Sequence, residues 1–127
     1  MRTRALILVA AVVSLLVAAG PTFAHHGAAA YDMKNVVTVT GKVTDFEFIN
    51  PHCQLYFEAT NSKGETEAWQ TELTAPAKLS RAGWTKHSLK PGDTVTVTGP
   101  VAKNGKLSIW IQKLVGPDGN PLPLSED

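Results

Sequence analysis

Apolar residues recur at every second position in several separate stretches of this chain. Between residues 36 and 43, Val37, Val39, Gly41 and Val43 share one face, and Thr38, Thr40, Lys42 and Thr44 take the other. Period-two alternation rich in β-branched residues predicts a half-buried strand. At Phe46 and Phe48 the apolar parity switches from odd to even. A one-residue slip moves every side chain to the opposite face, so the switch predicts a bulge near Thr44-Asp45. Asn50-Pro51 then interrupts the pattern, because proline has no backbone N–H to give a ladder and fixes its own φ. A second strand is predicted from about Cys53 to Ala59, with Cys53, Leu55, Phe57 and Ala59 on one face. After a turn at Asn61-Ser62-Lys63-Gly64, a third strand from about Glu65 to Leu73 sets Trp69, Thr71 and Leu73 against Ala68, Gln70 and Glu72.

The period then changes. Thr74 reads as a helix N-cap, Pro76 fits the first turn, and Gly83 closes a short helix over about Pro76–Ala82. Trp84 and Leu89 are expected to pack the following connection onto the core. Pro91-Gly92 opens a fourth strand, Thr94 to Thr98, with Val95 and Val97 inward. Asn104-Gly105 is a hairpin turn, and a fifth strand, Leu107 to Leu114, puts Leu107, Ile109 and Ile111 on one face. Three strands, one helix and two strands is the order of the OB-fold, a five-stranded Greek-key barrel. The fold class expected is all-β with one short helix, OB-like, rather than another small barrel or a sandwich. Val37, Val39, Leu55, Phe57, Trp69, Val95, Val97, Ile109 and Ile111 are the expected core.

The first residues follow another logic. Arg2 and Arg4 precede an apolar run from Ala5 to Ala19, broken only by Ser14, and Gly20-Pro21 and Ala24 follow. This is the layout of a secretory signal peptide, and the run is short for a membrane span of about 20 residues. The expected organisation is a signal peptide over 1–24, an arm over 25–35, the barrel over 36–116 and a loose tail over 117–127. Cleavage after Ala24 predicts a periplasmic or secreted protein with no membrane attachment.

Charge narrows the partners. The whole chain carries a formal +1, and removing Arg2 and Arg4 makes it slightly acidic. No basic footprint for nucleic acid is left. The single cysteine, Cys53, cannot form an internal disulfide and is expected buried and inert. No ordered Ser/His/Asp set, Gly-rich phosphate loop or Cys-x-x-Cys pair is present, so no enzyme is expected.

The candidate chemistry is metal binding. Cleavage after Ala24 would give His25 a free α-amine beside its imidazole, a nitrogen pair suited to copper(II), with His26 or His52 supplying further nitrogen. His52 follows the rigid Asn-Pro turn at the mouth of the second strand. Glu72, at the end of the third, is either a further ligand or a carboxylate that orients an imidazole. The metal set expected is thus His25, His26, His52 and Glu72, with Cu(II) as the cofactor. The bland readings are a polar arm, a solvated histidine and an exposed strand carboxylate. Tyr56, Trp69 and Trp110 are a possible stacking surface of the sort OB-folds use, with core or rim packing as the competing use.

A family resemblance is carried by Ala24-His25-His26, Tyr31-Asp32, Val39-Thr40-Gly41-Lys42-Val43, Asn50-Pro51-His52, Trp69-Gln70-Thr71-Glu72-Leu73, Leu79-Ser80-Arg81-Ala82-Gly83-Trp84 and Leu89-Lys90-Pro91-Gly92-Asp93. On these the chain resembles the exported bacterial proteins grouped as DUF6152. The resemblance implies an exported small β-barrel and no assigned activity. Two functions are therefore expected in competition: a periplasmic metal-binding or metal-handling protein, copper first, and a metal-free OB-type adaptor that binds a protein or small ligand through its barrel face.

Overall fold

The computed structural model describes residues 27–125. A 3-10 turn at Ala28–Ala30 leads into β1 (Tyr31–Glu47), followed by β2 (Gln54–Thr60), β3 (Thr66–Glu72), α1 (Pro76–Arg81), β4 (Thr94–Ala102), β5 (Ser108–Trp110) and β6 (Lys113–Val115). The sheet runs β1-β2-β3-β5-β4-β6, and a further β1–β4 pairing closes five of the strands into a barrel. β3 and β5 run parallel, and the other neighbours run antiparallel. This closure, with one helix between β3 and β4, is the OB-like barrel that the residue pattern predicts.

β1 serves two neighbours because it bends. Its first part pairs with β4, from Val36↔Pro100 to Lys42↔Thr94, and its last part pairs with β2, from Lys42↔Glu58 to Glu47↔Gln54. The register slips between Val43 and Asp45, so Thr44 is the extra residue of the predicted bulge. Val43 is buried before it, and Phe46 and Phe48 pack against the core after it. Gly41 sits where the strands cross closely: a Cβ there would lie 2.3 Å from the Glu58 carbonyl oxygen.

The core joins Val43, Cys53, Leu55, Phe57, Leu73, Leu79, Trp84, Leu89, Val95, Val97, Ile109 and Leu114. Four residues expected there, Val37, Val39, Trp69 and Ile111, are only partly buried against it. For Val37 and Val39 the reason is local, because that stretch of β1 pairs with β4 alone.

The helix starts at Pro76, as expected, but its cap is a different residue. Ala75 is its N-cap and makes no side-chain cap bond, so Thr74 does not cap it. Its other end is tightly built. The Trp84 N–H donates to the Leu79 carbonyl and the Gly83 N–H to the Ser80 carbonyl, both at 3.0 Å. Gly83 has φ 94°. This is a Schellman closure, with Leu79 and Trp84 in the apolar contact that accompanies it.

The expected fifth strand is divided. β5 pairs with β4 at Val101↔Ile109, and β6 pairs with β4 at Thr98↔Lys113, Val97↔Leu114 and Thr96↔Val115. The two registers differ by one residue, so a second irregularity lies around Ile111-Gln112. It moves the inward parity from Ile109 to Leu114. Gly99 faces this point, where a Cβ would lie 1.9 Å from the Trp110 carbonyl oxygen.

The tail does not hang loose through its described part. Val115 bridges Pro121, the Leu122 N–H donates to the Leu114 carbonyl at 2.9 Å, and the indole N–H of Trp84 donates to the Pro123 carbonyl at 2.7 Å. Leu122 and Leu124 pack against the core. Alternating apolar residues separated by prolines give the tail a buried edge that its Pro-Gly composition hid.

Candidate functional site

Cross-strand partners share a face, so the ladder itself lays out a surface. One row across the barrel is Glu47–Gln54–Glu72–Trp110, and the next is Asp45–Tyr56–Gln70–Ser108. All of these outward residues except Gln54, with Tyr31, line an open groove of about 1020 Å³. At its Trp110 end the groove meets a smaller cleft of about 310 Å³, lined by His52, Glu72, Leu73, Thr74, Trp110, Ile111 and Leu124. Glu72 and Trp110 belong to both.

The groove is fixed by side-chain bonds along its length. Tyr31 packs tilted against Trp110, with ring centroids 5.5 Å apart, and its hydroxyl hydrogen-bonds Ser108 Oγ at 3.1 Å. The Gln70 amide donates to Gln54 Oε1 at 3.2 Å. Burial raises the Tyr56 phenol pKa above its ordinary value, and the charges of Glu47 and Asp45 add to this. A phenolate is disfavoured there first by burial and then by the two carboxylates that face it.

His52 leaves the Asn50-Pro51 turn, whose peptide bond is cis, and its Nδ1 meets the Glu72 carboxylate. With Nδ1–H donating to Glu72, the neutral ring presents Nε2 as an acceptor. Both side chains are about half exposed. His25 and His26 lie outside the described residues, so how they sit relative to His52 is not part of this geometry. Among the described residues, no three histidine, cysteine, aspartate or glutamate side chains gather in a set that could hold an ion. Cys53, next in sequence to His52, turns inward and is fully buried. Burial pushes its thiol pKa up, partly offset by a hydrogen bond with the Ile49 backbone. His87 is exposed, away from both clefts.

The residue pattern singles out Tyr56, Trp69 and Trp110, all of which line the groove, but not Tyr31, Asp45, Glu47 and Gln54 as parts of one surface. The signal available was their outward parity, which becomes a surface only once strand neighbours are known.

A family model described as "Family of unknown function (DUF6152)" matches residues 11–109. The chain belongs to DUF6152. No curated protein matches this DUF6152 chain. Among solved structures it is similar to one titled "Crystal structure of apo TiaS (tRNAIle2 agmatidine synthetase)", at 21% identity and a TM-score of 0.42. That likeness covers 65% of the DUF6152 chain and 18% of the other, and it is too slight to say anything of function.

Proposed function

We propose that this DUF6152 domain is a binding module, the OB-type adaptor of the two expected functions, and that its ligand lies in the groove across β1, β2, β3 and β5. The observation that carries this is the groove: an open concavity of about 1020 Å³ floored by outward aromatic and polar side chains on rigid strands. Strand-borne side chains are held more precisely than loop-borne ones, which suits recognition. The face also corresponds to the strands 2–3 surface, flanked by the β1–β2 and β4–β5 loops, through which OB-folds commonly bind. The leading segment addresses the protein to the periplasm or outside the cell, and the partner is sought there.

The test is amide shift mapping on the isotope-labelled protein, titrated with short cationic, neutral and anionic peptides. Shifts concentrated at Tyr56, Gln70, Ser108 and Trp110 support the reading. Absence of shifts there with every probe overturns it.

One observation favours the metal reading as a second function. The His52 imidazole is oriented through Nδ1 by Glu72, which makes Glu72 the outer carboxylate and leaves Nε2 to face a ligand. Copper(II) would then take the amine and imidazole of His25 in the protein processed after Ala24, with His26 or His52 as further nitrogen. Electron paramagnetic resonance of His52→Ala, and of a protein extended by one residue before His25, tests this. If both bind Cu(II) like the parent, the site does not exist.

A further inference from the structure

We infer that the occupant of the groove is a basic, extended segment of a partner protein, whose lysine or arginine side chains lie over the groove's rings between its carboxylates while an adjoining apolar side chain enters the smaller cleft. The inference rests on the binding-module reading and names its ligand.

Charge complementarity is the first argument. Asp45, Glu47, Glu58 and Glu72 line the groove, against one cation, Lys106. The chain as a whole has 12 basic and 11 acidic residues, so the imbalance belongs to this face and not to the composition. Asp45 and Glu58 enter no ion pair among the described residues, although Lys42 stands across the ladder from Glu58. After burial, the charges of Glu47 and Asp45 help to raise the Tyr56 pKa. A phosphate backbone would meet these carboxylates head-on, and an ammonium or guanidinium would be drawn in and could stack on Tyr31, Tyr56 or Trp110.

Spacing is the second argument. The four carboxylates sit on three successive strands, which lie about 4.8 Å apart. One point charge cannot serve them all, and an extended chain with cations at intervals can. Continuity with the apolar cleft is the third. Leu73, Ile111 and Leu124 wall a cleft that opens from the groove across Glu72 and Trp110. A ligand filling both must carry an apolar group beside its charges, which a peptide has and a simple polyamine lacks.

The experiment is fluorescence anisotropy on the whole protein with a labelled short peptide of alternating lysine and serine ending in leucine. Its companions replace lysine by glutamate, or the leucine by serine, and spermidine serves as competitor. The basic, leucine-ended peptide should bind best and weaken with salt, since exposed charges more than about 8 Å apart are largely screened at physiological ionic strength. Joint Asp45→Asn and Glu58→Gln should lower its affinity about tenfold, and Leu124→Ala should abolish the advantage of the leucine. Circular dichroism confirms that each variant folds. Equal binding of the glutamate peptide in the groove overturns the inference and leaves the binding-module reading standing. So does affinity unchanged in the double variant, or full competition by spermidine with no leucine preference. No binding by any peptide, with no shifts at groove amides, overturns both.

Discussion

Gly99→Ala is the single methyl group to which this barrel should be most sensitive. The added Cβ would lie 1.9 Å from the Trp110 carbonyl oxygen, 2.9 Å from its carbonyl carbon and 3.0 Å from Ile109 Cγ2. Carbon-to-oxygen contacts ordinarily begin near 3.3 Å, so the strands must part by roughly 1.4 Å. The obstacle is backbone, which cannot rotate away as a side chain would. Val101↔Ile109 is the pairing beside it, and β5 is only three residues long, so little of that ladder survives a withdrawal. Overpacking a core costs about 1–3 kcal/mol, occasionally more, and a backbone clash belongs at the upper end. At about 4–8 °C per kcal/mol for a domain of this size, a loss of about 3 kcal/mol lowers Tm by roughly 12–24 °C. Thermal unfolding followed by circular dichroism measures it, with Gly27→Ala as control because nothing lies within 4 Å of a Cβ there. Because β5 carries Ser108 and Trp110, the same variant should disturb the Tyr31–Trp110 contact and weaken any groove ligand. A fall in Tm below about 4 °C would refute the claim that close β4–β5 approach holds this side of the barrel.

Three further outcomes are expected. Trp84→Phe keeps the buried ring but removes the indole hydrogen bond to the Pro123 carbonyl; it should cost about 1 kcal/mol and speed proteolysis after Gly116, whereas unchanged cleavage would contradict the docked tail. The phenol of Tyr56 should titrate above its ordinary value, and joint Asp45→Asn and Glu47→Gln should bring it down by removing the facing charges; ultraviolet titration of the two tyrosines, with Tyr31→Phe to isolate Tyr56, reads the direction, and an upward move would be inconsistent with the field described. Cys53, fully buried with its pKa raised, should resist thiol reagents in the native protein, and because the folded state favours the neutral thiol, its contribution should turn destabilising as pH rises past about 8.5, the unfolded value; fast native labelling at neutral pH would contradict this.

What the sequence determined by itself is local and periodic. Alternation at Val37–Val43 and Cys53–Ala59, the parity switch at Thr44-Asp45, the single helix before Gly83 and the Asn104-Gly105 turn sufficed for an OB-like barrel, because each is a short-range consequence of backbone geometry. The parity switch between Ile109 and Leu114 was also in the residues, yet Ile111 continued the odd series and masked it. Which valines of β1 are covered, and that Leu122 and Leu124 seat the tail, depended on neighbours far along the chain. The candidate site divides the same way. His52 and Glu72 were legible as chemistry, one beside a rigid turn and one at a strand end. Only the β2–β3 register brings them together, and only the order β1-β2-β3-β5 sets Asp45, Tyr56, Gln70 and Ser108 in one row. Periodicity fixes which side of a strand a residue takes, whereas a groove is made by which strands stand side by side, and that is decided by barrel closure.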